Sequence, residues 1–114
     1  MKSLYGQYIQ EKEGAHIIED EKGFMVYKYQ PTERLVHIPE IFVLPEFRNN
    51  GIGTSYLNIL EDIIDNEKFD WIICSTEKEI KYYDENEKIF NKVGFRKYAE
   101  EDGKILFCKY IGVN

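Results

Sequence analysis

Residues 35–64 read LVHIPEIFVLPEFRNNGIGTSYLNILEDII. An apolar strand runs into a polar, glycine-containing turn and then directly into an amphipathic helix. The junction Arg48-Asn49-Asn50-Gly51-Ile52-Gly53-Thr54 is the decisive part. Gly51 and Gly53 lack a Cβ, so each can take positive φ and let a ligand approach the backbone closely. A helix that starts here presents its first unpaired N–H groups and the positive end of its dipole to the loop. Such an arrangement holds phosphate oxygens, and it points to an enzyme or binding domain for a phosphate-bearing ligand.

The strand before the junction has a break in its pattern. Val36 and Ile38 share one face by alternation, yet Ile41 and Val43 have the opposite parity. Pro39 lies between the two pairs and cannot donate a ladder hydrogen bond. A one-residue bulge near Pro39-Glu40 would return both pairs to one face and bend the strand; the alternative is that Pro39 marks an edge or the strand's start. After the junction, Ile52, Tyr56, Leu57, Leu60, Ile63 and Ile64 recur at helical spacing, with Glu61, Asp62 and Asp65 on the wet side. Thr54 could cap this helix with its hydroxyl. Phe69 to Ser75 is a continuous apolar run that suits a buried strand. Strand, helix, strand in this order implies a right-handed crossover and a parallel pair.

The flanks extend the pattern. Ser3 to Glu13 is weakly helical and ends at Gly14. His16–Glu19 and Phe24–Tyr29 form a hairpin around Asp20-Glu21-Lys22-Gly23, whose glycine stands where such a loop needs positive φ. Phe24, Val26 and Lys28 alternate with Met25, Tyr27 and Tyr29, so the second strand is apolar on both faces and central in its sheet. Tyr82, Tyr83, Asn86, Ile89, Phe90 and Val93 mark a further helix, stopped by Gly94. A last hairpin pairs Phe95–Ala99 with Lys104–Ile111 across Glu100-Glu101-Asp102-Gly103. The predicted fold class is α+β: a mixed, mostly antiparallel sheet with one parallel strand pair and two to three covering helices.

Composition bounds the function. A chain of 114 residues, 43% hydrophobic and 32% charged, is expected to form a single domain over 1–114 with an ample core. A net charge of −6 argues against nucleic-acid phosphate as a partner. The acidic surface serves solubility, and it would also favour a cationic substrate. Cys74 and Cys108 lie inside apolar runs, which suits buried free thiols better than a disulfide framework or a metal site. Met1–Gly6 has no apolar core behind it and no apolar run approaches spanning length, so no signal peptide, no membrane and a cytoplasmic location are expected.

Three glycine-rich phosphate motifs compete for the junction. A Walker A loop would need Gly-Lys-Ser/Thr, but Gly53 is followed by Thr54. A dinucleotide fingerprint would need a third glycine where Tyr56 stands. What remains is Arg-x-x-Gly-x-Gly after Val-Leu-Pro-Glu-Phe, between a strand and a helix.

The extended string from Ile41 to Thr54 resembles the acetyl-coenzyme A loop of the GNAT superfamily of N-acetyltransferases. Lys92-Val93-Gly94-Phe95-Arg96 is similar to the family's segment after its last helix. The resemblance runs from Ile17 to Ile111. It implies that Arg48, Asn49, Asn50, Gly51, Ile52, Gly53 and Thr54 grip the pyrophosphate of acetyl-CoA. It implies too that the pantetheine arm lies along Ile41, Phe42 and Val43, where a bulged strand splays from Phe69–Ser75 and frees backbone groups to pair with it. Family members carry more chain before the hairpin, so either the acceptor groove is open and suited to a large substrate, or another subunit completes it and a homodimer forms.

The resemblance also implies roles in catalysis. The amine must be neutral to attack, so a general base is expected; Glu40 is the first candidate and His37, with a suitable ordinary pKa, the second. Each also has a plainer reading, Glu40 as a solvated bulge residue and His37 as a satisfied core histidine. The tyrosine that protonates the leaving thiolate in the family falls here on Phe90, leaving Tyr83 or Tyr82 as substitutes, with Asn86 as a hydrogen-bond partner for the arm. A thiolate can also leave unassisted. Cys74 has no base near it in sequence and reads as a buried thiol. The first expectation is acetyl transfer to a primary amine on a small molecule, a protein lysine or an N-terminus. The alternative is a non-catalytic acyl-CoA-binding or partner-docking protein, and a weaker one is an acidic decoy for a basic groove.

Overall fold

The computed structural model describes residues 3–77 and 83–113, with residues 83–86 described by backbone alone. In chain order the elements are α1 (Leu4–Glu13), β1 (His16–Asp20), β2 (Gly23–Gln30), β3 (Leu35–Val43), α2 (Ile52–Ile63), β4 (Trp71–Glu77), α3 (Tyr83–Lys92), β5 (Arg96–Glu101) and β6 (Lys104–Tyr110), with a 3-10 turn at Pro45–Phe47. The strands form one six-stranded sheet in the order β1-β2-β3-β4-β6-β5. Every described neighbouring pair is antiparallel except β3 and β4. The predicted α+β mixed sheet is therefore present.

The main core lies between the sheet and helices α2 and α3. Met25, Tyr27, Val36, Ile38, Ile72, Cys74, Ile105 and Phe107 from the strands meet Tyr56, Leu57 and Leu60 of α2 and Phe90 of α3. On the other face Ile9 of α1 packs with Ala15 and Val26, flanked by Ile17 and Phe24. Both faces of β2 are thus covered, as its apolar alternation predicts. Helix α1 is weakly amphipathic, and its ends hold it: Ser3 Oγ accepts the Gly6 N–H at 2.9 Å, and Gly14 at φ 65° closes the C-terminus.

The break in β3 is a bulge. Val26 faces Glu40 and Lys28 faces His37, so two steps on β2 match three on β3 and the extra residue falls at Ile38-Pro39. Beyond it Ile41 and Val43 pack against the same core as Val36 and Ile38. This confirms the repair of parity that the sequence calls for, one residue earlier than Pro39-Glu40.

Other expectations need correction. Gly23 does not take positive φ; it is paired in both β1–β2 and β2–β3, and a Cβ there would collide with the Phe42 carbonyl. Thr54 lies inside α2, whose N-cap is Gly51 without a side-chain cap. Ile63 is 50% exposed although its neighbour Ile64 is buried, because the helix turns into extended backbone at Ile64. The strand expected from Phe69 begins at Trp71, while Phe69 still fills the core from the preceding loop.

Candidate functional site

Strands β3 and β4 are paired only from Leu35–Trp71 to Ile38–Cys74. Beyond that point β3 bends away at its bulge, and a gap opens between its second half and Ser75–Glu77 of β4. The Leu44 N–H donates to the Lys22 carbonyl at 2.8 Å. By antiparallel alternation, Phe42 and Glu40 then direct their backbone groups at β2, and Ile41 and Val43 direct theirs into the gap. The Val43 carbonyl accepts Arg48 Nε at 2.9 Å. The Ile41 peptide groups and the Val43 N–H are left facing the gap, where an extended ligand could add itself as a strand.

The chain then passes the 3-10 turn and tightens into the loop. Asn49 at φ 65° and Gly51 at φ 79° are both left-handed. The Asn50 side-chain amide donates to the Arg48 carbonyl at 3.1 Å, so it folds the loop from within. Gly51 caps α2 with no side-chain acceptor. The N–H groups of Ile52, Gly53 and Thr54 therefore face a cavity of about 240 Å³ lined by Ile41, Val43, Phe47, Arg48 and Gly51 on one side and Lys88 and Lys92 on the other. A Cβ at Gly51 would meet no protein atom within 4 Å, so the space over it is open to a ligand. Gly53 differs. Its φ is not positive, and a Cβ there would stand 2.9 Å from Ile89 Cδ1; its role is close packing of α2 on α3. The Arg48 guanidinium lies 5.6 Å from the Phe42 ring centre.

A second cavity, of about 510 Å³, occupies the gap itself and shares Ile41 and Phe42 with the first. His37 and Glu40 both line it. Glu40 Oε2 accepts the Tyr5 hydroxyl of α1 at 2.7 Å, so the carboxylate faces the α1 side, opposite α2 and α3. Burial, then the bond to Glu40, raises the Tyr5 pKa to about 12. His37 Nε2 lies 3.2 Å from Ser75 Oγ. Its pKa is pushed below the ordinary value by burial, with Lys28 and Lys104 adding to the effect. The ring is therefore neutral at neutral pH, and the bulge places it in the same cavity as Glu40.

Phe90 lines this cavity too, yet it is 1% exposed and packs its ring 5.1 Å from that of Phe107. Tyr82 lies outside the described residues. Tyr83 and Asn86 lie on α3, but their side chains are outside the described ones. Cys74 is wholly buried, and desolvation raises its thiol pKa well above the ordinary value. Cys108 is only partly buried, which corrects the expectation for it; both thiols are free. Among the described residues no cluster of His, Cys, Asp and Glu could hold a metal ion, and no helix is long and apolar enough to cross a membrane.

Sequence reasoning named Phe47 and Lys92 within motifs without giving either a role in the site, and did not select Lys88 or Thr76. The two lysines stand four residues apart on the exposed side of α3 and become part of the site only when α3 docks beside α2. Their spacing on one helix face was the available signal.

The model of the acetyltransferase (GNAT) family matches residues 3–95. No curated protein sequence matches the chain. Among solved structures, a protein of the GNAT family from Desulfovibrio desulfuricans superposes with a TM-score of 0.69 at 21% identity, over 86% of this chain and 70% of that one. The PaiA N-acetyltransferase of Thermoplasma acidophilum, solved with coenzyme A, superposes at 0.66 with 16% identity, over 78% of this chain and 53% of its own. The ribosomal-protein-S18-alanine N-acetyltransferase of Escherichia coli superposes at 0.69 with 13% identity, over 99% of this chain and 79% of its own. This chain therefore spans between about half and four fifths of the length of these three neighbours.

Proposed function

This chain belongs to the acetyltransferase (GNAT) family, and we propose that it moves an acetyl group from acetyl-CoA to a primary amine by direct attack in a ternary complex. The amine belongs to a small molecule, a protein lysine or a protein N-terminus. The observation that carries the reading is the continuity of the two cavities. The open edge of β3 leads from a gap in the sheet to an uncapped helix start with open space over Gly51.

The residues present fit the cofactor. Three helix N–H groups with Lys88 and Lys92 opposite form an anion site of the size of a diphosphate. The peptide groups of Ile41 and Val43 suit the amides of an extended arm. When bound, acetyl-CoA supplies a thioester whose acyl carbon is open to an amine. The Ile41 N–H, at the end of the edge away from the phosphate loop, is the donor available to the acyl oxygen. Glu40 reaches the gap from the α1 face, so it takes a proton from an amine that enters on that side. His37, neutral and 3.2 Å from Ser75 Oγ, is a second acceptor in the same cavity. Holding both reactants in one gap supplies much of the acceleration.

Calorimetric titration with coenzyme A, followed by thiol release from acetyl-CoA over a panel of amines and lysine peptides, tests the proposal. Cofactor binding with amine-dependent thiol release is the expected result. The apolar Phe90 in the core favours a second reading, a cofactor-binding protein without turnover. Binding with no thiol release above the blank would select it.

A further inference from the structure

Thr76 is the buried polar side chain of the described core, 7% exposed. It sits on β4 two residues past Cys74, the last residue of that strand paired to β3. It therefore stands on the wall of the gap where its neighbours Phe90, Ile38 and Ile41 are apolar. Its strand partner across β6 is Ile105, 2% exposed, so it lies on the core face with the wholly buried Cys74. Its hydroxyl is open to the cavity and not sealed inside the core, so it is available to a ligand in the gap. No hydrogen bond from its side chain to another described residue holds it. The other hydroxyl lining the cavity, that of Ser75, lies on the opposite face beside His37.

We propose that Thr76 is a catalytic residue, the hydrogen-bond donor to the sulfur of the thioester as it leaves. This rests on the reading above that acetyl-CoA occupies the two cavities. A ligand anchored by its phosphates at Gly51–Thr54 and paired along Val43 and Ile41 extends toward Ile38, and its far end reaches the gap where Thr76 stands. As the amine nitrogen bonds to the acyl carbon, the carbon–sulfur bond breaks and its electron pair stays on sulfur. Thr76 donates a hydrogen bond to that sulfur and keeps its own proton. The proton lost by the amine passes to Glu40 or to water, and the departing thiolate is protonated by solvent. A hydroxyl cannot serve as the net acid, but a hydrogen bond to a charged acceptor is worth more than one to a neutral acceptor. The donor therefore favours the thiolate over the bound thioester.

The test needs no known acceptor. Coenzyme A bound to the protein is titrated by the ultraviolet absorbance of its thiolate, referenced to the protein with acetyl-CoA bound. In Thr76→Val the bound thiol should titrate about one pH unit higher, the equivalent of a tenfold loss of thiolate preference. Affinity for acetyl-CoA should stay within about threefold and the melting temperature should not fall. Thr76→Ser should restore the wild-type titration. An unchanged titration in Thr76→Val with coenzyme A bound overturns the inference and leaves the transferase reading intact. So does a weakened acetyl-CoA affinity with an unchanged titration, which would assign the hydroxyl to the pantetheine arm. If the wild-type protein binds no coenzyme A, both readings fail.

Discussion

Tyr56 and Asp20 allow a quantitative test of how the phosphate-facing loop is braced. The Tyr56 ring is 2% exposed in the core against α2's neighbours, and its hydroxyl donates to Asp20 Oδ1 at 2.7 Å. The same oxygen accepts the Lys22 and Gly23 amides at 2.8 and 3.2 Å. The Lys22 carbonyl in turn holds the Leu44 N–H, and Lys22 Nζ lies 5.9 Å from the Phe47 ring centre. The β1–β2 turn thus ties together the two ends of the loop. Tyr56→Phe keeps the ring and deletes one charge-assisted bond, of the kind worth about 1.5–3 kcal/mol. Asp20 is exposed and keeps its backbone partners, which places the expected loss near 1 kcal/mol. For a chain of this size that is a fall of roughly 3–6 °C in melting temperature. The loss must depend on pH with a definite sign. The bond to Tyr56 is the largest influence and lowers the Asp20 pKa; burial opposes it, and the Lys22 and Gly23 amides lower it further. Its folded value lies below its unfolded value, so the stabilisation is complete above the ordinary value of 3.8 and disappears as pH falls through the folded value. Urea denaturation of the wild type and Tyr56→Phe at neutral pH and at low pH checks this. Equal stability at neutral pH, or a difference that persists unchanged in acid, would refute the brace.

Gly51→Asp puts a carboxylate at φ 79° into the open space over the loop; affinity for coenzyme A should fall by at least about tenfold by calorimetry, and unchanged affinity would overturn the loop assignment. Glu40→Gln removes a base but no described cofactor contact, so kcat should fall by about 10²–10⁴ while coenzyme A affinity holds. Replacing Lys88 and Lys92 together by Gln should weaken coenzyme A binding most at low ionic strength and flatten its salt dependence, read by titration at two salt concentrations. The folded-state pKa of His37 lies below 6.5 because burial, Lys28 and Lys104 all oppose its charge. Stability should therefore be full above that value and decline as pH drops below it, and His37→Gln should decline less steeply over the same window by thermal melts.

Much of the fold was legible because local and global signals agree. The parity break around Pro39 could be resolved only by an extra residue, and the bulge follows. Gly14 and Gly94 end their helices at positive φ because nothing but a helix precedes them. Misreadings fell where one residue type serves two physical ends. Gly23 and Gly53 are glycines for lack of space, against the Phe42 carbonyl and Ile89, and sequence cannot separate that from a need for positive φ. Thr54 has the right chemistry for a cap, but Gly51 takes the position three residues earlier. The site was half legible. Loop residues 48–54 are contiguous and carry a spacing, whereas Lys88, Lys92 and Thr76 join it from α3 and β4. The spacing of Lys88 and Lys92 on one helix face is a signal, but only the docking of separate elements gives it a meaning.

Four residue pairs between β3 and β4 are the described seam between two ribbons, β1-β2-β3 and β4-β6-β5. Within the first ribbon the strands are near neighbours in sequence, and so are β5 and β6 in the second. Strand β4 joins residues 35–38 across α2 and residues 104–110 across α3, the costlier loops to close. The β1-β2-β3 ribbon and the β5-β6 hairpin are therefore expected to form first, and β4 to zip them together afterwards. The crevice between β3 and β4 is the unzipped remainder of that last step, so amides flanking it should exchange with solvent sooner than those inside either ribbon.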